Sequence, residues 1–156
     1  MKTRFVNYAI FLMIFFVTSC SDDNNPIDVL TSVFSADVDG EEFKASTKFY
    51  NTDSGKLIIT GQQLSGASIQ DQIILTVAEQ SEGTYPLSAT ELTTAIYKIG
   101  TDQSNNYVGI SGEIVITSFE NNKVSGTFHF EAAKNVSETI SITNGTFTDV
   151  PKAGAN

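Results

Sequence analysis

Apolar and polar residues alternate along most of the chain beyond residue 32. Val33-Phe34-Ser35-Ala36-Asp37-Val38 and Glu42-Phe43-Lys44-Ala45 flank Asp39-Gly40. Asp-Gly between two alternating runs predicts a tight hairpin. Lys56-Leu57-Ile58-Ile59-Thr60-Gly61 reads as a buried strand, and Gln72–Ala78 as another, with Ile73, Leu75 and Val77 on one face. Gly83–Leu87 contains Pro86, which confines it to an edge or a turn. Thr94–Ile99 and Glu113–Phe119 are further strands. After an Asn121-Asn122 turn, Val124–Ala132 places Val124, Gly126, Phe128, Phe130 and Ala132 inward and Ser125, Thr127, His129 and Glu131 outward. Thr139–Thr143 and Thr146–Val150 follow, separated by Asn144-Gly145, which fits either a hairpin turn or a bulge. No window sustains a 3.6-residue period. Short strands joined by short turns predict an all-β fold: an antiparallel, meander-rich β-sandwich or barrel of about 8–10 strands.

The first thirty-two residues follow another pattern. Lys2 and Arg4 precede an apolar run from Tyr8 to Val17, which leads into Thr18-Ser19-Cys20. A basic start, an apolar stretch of roughly 7–15 residues and a small-residue exit describe a secretory signal. The run is shorter than the roughly 20 residues a spanning helix needs. Its exit resembles the lipobox of bacterial lipoproteins, which implies removal of residues 1–19 and acylation of Cys20. Residues 20–32, with Ser21-Asp22-Asp23-Asn24-Asn25-Pro26, read as a solvated acidic tether. That stretch is similar to the acidic surface-export signal of Bacteroidota lipoproteins. Residues 33–156 remain as a single all-β domain. The expected address is the outer membrane, lipid-anchored, with the cell surface favoured over the periplasmic face. Acylation with more than one chain would make the anchoring stable.

Composition narrows the partners. Nine Lys and Arg stand against eighteen Asp and Glu, a net charge of −9, and loss of the leader would make the chain more negative still. Nucleic acid, which needs clustered bases, is excluded as a partner. Cys20 is the only cysteine, so no disulfide forms within the chain and the core alone must hold the domain together.

Gly112-Glu113-Ile114-Val115-Ile116-Thr117, Val124-Ser125-Gly126-Thr127-Phe128 and Ile142-Thr143-Asn144-Gly145-Thr146-Phe147 occur in that order. Ala36-Asp37-Val38-Asp39-Gly40 precedes them, and Gly83-Thr84-Tyr85 lies between. With these motifs the chain resembles a family of small Bacteroidota lipoproteins, domain of unknown function 6252. Turn glycines and core aromatics carry the resemblance, so it implies a fold and transfers no catalytic residue.

Candidate chemistry is sparse. His129 is the only histidine; Thr127 and Glu131 on its face mimic a hydrolase set, but a solvent-facing strand residue explains it better. One His and one acylated Cys cannot make a zinc site. Asp37, Asp39, Glu41 and Glu42 offer oxygens to calcium, yet turn formation and solvation account for them. No cofactor and no metal are expected. Tyr85, Tyr97 and Tyr107 are the candidate binding residues, as an aromatic platform for a sugar or peptide. The stretch from Gly100 to Gly112, with Tyr107 among small polar residues, is the best candidate contact loop. The competing reading, which is favoured, has Tyr107 begin a strand and pack inward. The expected function is a non-catalytic binding or accessory module acting on a protein, glycan or small molecule. A lipocalin-like carrier and an acidic inhibitor of a basic hydrolase are the alternatives, and an enzyme is not expected.

Overall fold

The computed structural model describes residues 32–88 and 92–154. The leader, Cys20 and the tether therefore lie outside the described residues. Ten strands form one antiparallel sheet: β1 (Val33–Val38), β2 (Glu41–Lys44), β3 (Thr47–Asp53), β4 (Lys56–Ser65), β5 (Ser68–Val77), β6 (Gly83–Leu87), β7 (Thr94–Ile99), β8 (Asn106–Glu120), β9 (Lys123–Asn135) and β10 (Glu138–Pro151). Among the described residues the one helical element is a 3₁₀ turn over Gln103–Asn105.

The sheet runs β2-β1-β10-β9-β8-β7-β5-β4-β3, with β6 paired to β8. It curls into a half-barrel, which decides between the sandwich and the barrel. Its two outer strands, β2 and β3, are consecutive in sequence and joined through Ala45 and Ser46. Ala45 N–H donates to Phe34 O at 2.9 Å, and Ser46 N–H to Gln62 O at 2.8 Å. Tyr50 bridges Lys152 in parallel sense, which ties β3 to the end of β10.

Local chemistry explains the turns. Asp39 and Gly40 both take positive φ, 49° and 86°, as the Asp-Gly hairpin demands. Pro86 sits in β6, whose only partner is β8, so its missing N–H costs no ladder bond. Asn144-Gly145 proves to be a bulge and not a hairpin. The β10–β9 register shifts between Ile142 and Gly145 while β10 continues to Pro151.

One strand was not foreseen, and of the two readings of the stretch from Gly100 to Gly112 the favoured one holds, with Tyr107 in a strand and packed inward. Thr47–Asp53 is a full strand that the apolar pattern did not reveal, because only Tyr50 among its seven residues is buried. The stretch read as a contact loop is largely strand: β8 starts at Asn106, and Tyr107 lies half-buried against the core.

The interior is filled by rings. Phe34 touches Phe43, Phe128 and Phe147 at centroid distances of 6.2, 5.4 and 6.1 Å. Phe128 and Phe130 are 3% and 1% exposed, on the inward face that the alternation assigned to them, and His129 between them is exposed. Glycines make the room. A Cβ at Gly61 would stand 2.5 Å from the Phe34 ring, and one at Gly126 would collide with Val115 O and the Phe147 ring.

Candidate functional site

On β5 the buried residues Ile73, Leu75 and Val77 define the inward phase. Asp71 is in that phase, one step before Ile73, three residues inside the start of β5 and opposite Ile99 at the end of β7. Ile73 pairs with Tyr97 of β7, and Tyr97 pairs with Tyr107 of β8. Ile73, Tyr97 and Tyr107 thus form one row across three strands, with Asp71 at its rim. Tyr97 is only 8% exposed. Its ring lies 6.2 Å from that of Tyr107 at an interplanar angle of 48°. The Tyr97 hydroxyl and the Asp71 carboxylate lie close enough for each to shift the other's protonation.

The electrostatics follow from this arrangement. Burial raises the Asp71 carboxyl above its usual range, and the Tyr97 hydroxyl pulls it back down. Burial also pushes Tyr97 up to about 12, and the Asp71 charge and hydrogen bond, Tyr107 and Asp39 push the same way. Strand register locates the site: across β9 and β10, the start of β8 lies at the end toward which β1 runs. Six strand residues at about 3.3 Å each put it roughly 20 Å from Val33, where the described chain starts. Ile99, directly opposite Asp71, is 45% exposed and forms an apolar lip beside the carboxylate.

Of the three sequence-predicted tyrosines, the structure brings Tyr97 and Tyr107 together and places Tyr85 apart. Tyr85 sits on β6 opposite Ile114, and its hydroxyl donates to Ser81 O at 2.7 Å. Among the described residues it makes no ring contact with the other two.

A concavity lies instead on the outward face, where the β10 bulge opens a groove of about 560 Å³ whose lining includes Thr127, His129, Thr143, Asn144 and Thr146. The hydrolase-like set does not assemble there. Glu131 accepts from Ser141 Oγ at 2.7 Å, and His129 bonds neither Thr127 nor Glu131. The nearby acids are engaged as hydrogen-bond acceptors, one by backbone and one by a side chain. Asp39 Oδ1 accepts from Ser141 N–H at 2.8 Å, and Asp37 Oδ2 from Asn144 Nδ2 at 2.7 Å. Among the described residues no three His, Cys, Asp or Glu side chains converge to hold a metal ion.

Residues 30–151 match the family described as a domain of unknown function, DUF6252. The chain belongs to that family. No curated protein and no solved structure matches it. In this DUF6252 chain the residue that sequence reading missed is Asp71. The signal was present: a carboxylate in phase with three buried aliphatic residues on the same strand. Such a group needs a partner or an opening to water, and Tyr97 and the end of β7 opposite it supply both.

Proposed function

We propose that this chain is a lipid-anchored module of the outer membrane, displayed at the cell surface, that works by binding and not by catalysis. The leader and Cys20 support the anchor. One observation carries the binding reading. At the end of the half-barrel remote from Val33, the inward face changes from packed phenylalanines to a tyrosine pair with a carboxylate. Anchored through residues ahead of Val33, the domain presents that end to a partner. The rings around Phe34 fill the interior, which counts against a carrier of small ligands.

Three measurements test the reading. Cys20→Ser moves the protein from the membrane to the soluble fraction if Cys20 carries the anchor; unchanged membrane association overturns the anchor. Full-length protein and Tyr107→Ala, matched for melting temperature, are compared as baits against envelope extract. A partner captured by the wild type and lost by the variant supports the tyrosine end. Turnover of chromogenic ester, phosphate or glycoside substrates by the purified protein overturns the non-catalytic assignment.

A further inference from the structure

The ligand class of the tyrosine end can be read from its chemistry, on the premise that this end is the binding surface. We propose that Asp71, Tyr97 and Tyr107 together receive the ammonium or guanidinium group of a lysine or arginine side chain on a basic partner protein. Three features point the same way. First, Asp71 is a carboxylate in the inward phase, partly withdrawn from water beside the Tyr97 hydroxyl, and among the described residues it makes no ion pair. A partly desolvated carboxylate with spare acceptor oxygens gains most from a cation that brings charge and donors together. Second, Tyr107, half-buried and packed on the buried Tyr97 ring, offers aromatic surface at that end, and cations are attracted to ring faces within about 6 Å. Ile99 at the lip can cover the aliphatic stem of such a side chain. Third, the field at this end is negative. Asp39, Glu41, Asp102 and Glu138 stand at the turns and strand ends around the corner, in a chain of net charge −9, which steers a basic partner inward.

The chain's own lysines beside the corner do not fill it. Lys134 Nζ donates to Asn105 Oδ1 at 3.3 Å. Lys98 is out of phase with Tyr97, opposite Gln72 and Asn106, and so belongs to the outward face.

The test uses the tripeptide acetyl-Lys-Lys-Lys-amide, with the same peptide Nε-acetylated as its uncharged counterpart. Binding to the folded protein is followed by amide NMR shifts and by tyrosine emission, which no tryptophan obscures. The charged peptide is expected to move the resonances of Ile73, Tyr97 and Tyr107, and the acetylated one to leave them in place. Asp71→Asn keeps the shape and the acceptor for Tyr97. It should weaken binding by about fivefold or more, the worth of a partly buried cation contact. Asp53→Asn, the same charge loss in the β3–β4 turn, should change it by less than about twofold, as an exposed charge does. Tyr107→Leu should weaken binding and Tyr107→Phe should retain it, because the ring and not the hydroxyl makes the contact. Equal weakening by Asp71→Asn and Asp53→Asn overturns the proposal, since binding would then be diffuse. So does binding of the acetylated peptide as tightly as the charged one. A neutral disaccharide that moves the corner resonances when trilysine does not would overturn the cation while leaving this end a binding surface.

Discussion

Two of the aromatic clusters on the inward face differ in what surrounds the rings. In the first, Phe34, Phe43, Phe128, Phe130 and Phe147 meet one another and the bare backbone of Gly61 and Gly126. Nothing polar enters, so the packing can only stabilise. In the second, Tyr97 and Tyr107 meet at a similar distance, 6.2 Å, but with a hydroxyl on Asp71 and an open strand end beside them. Ring packing there also stabilises, yet it leaves an acceptor and a ring surface within reach of a partner. Similar ring geometry thus does two jobs, and the neighbouring group decides which.

The contrast can be broken from the phenylalanine side. Phe128→Ala removes a ring that touches Phe34, Phe130 and Phe147. We expect a loss of about 3–5 kcal/mol, read from urea unfolding. Gly126→Ala drives a Cβ into a backbone carbonyl and the Phe147 ring, and overpacking of this kind costs about 1–3 kcal/mol in the same assay. If either substitution were nearly neutral, the first cluster would not be the packed region described.

Tyr97→Phe sharpens the comparison from the other side. The ring stays and Asp71 loses the hydroxyl beside it, so about 1 kcal/mol is expected in urea unfolding. A pH signature accompanies it. Tyr97 titrates at about 12 in the folded chain against an ordinary 10.0, so folding favours its neutral form. That contribution is intact below pH 10 and is lost as pH rises towards 12. Melting temperature should therefore fall less steeply over this window in Tyr97→Phe than in the wild type. His129→Ala, on the exposed face between two core phenylalanines, should change stability by less than about 0.5 kcal/mol. Equal losses for His129→Ala and Phe128→Ala would reverse the assignment of the two faces of β9.

Much of this was legible in the sequence where one face is wet and the other dry. Along β9 the alternation of Phe128 and Phe130 with Thr127, His129 and Glu131 matches the burial residue by residue, because a pleated strand leaves no third environment. The Asp39-Gly40 hairpin was legible for a local reason, its need for positive φ. β3 was not, since Tyr50 alone is buried and its partner β4 imposes the strand. The tyrosine end was half legible: Tyr97 and Tyr107 stood out as residues, but their pairing with each other and with Asp71 did not.

By itself, then, the sequence determined which residues turn inward and where the chain reverses, because period-two patterning and turn chemistry act over a few neighbours. Only the tertiary structure decided which strands lie side by side. β10 stands between β1 and β9, so that Phe34 pairs with Phe147 across more than a hundred residues. Asp71 likewise meets Tyr97, and Tyr97 meets Tyr107, because β5, β7 and β8 are neighbours in one particular register. Alternation is the same for every partner a strand could choose. The choice rests on fitting ring volumes and bare glycines together across a curled sheet, and no local stretch of chain carries that information.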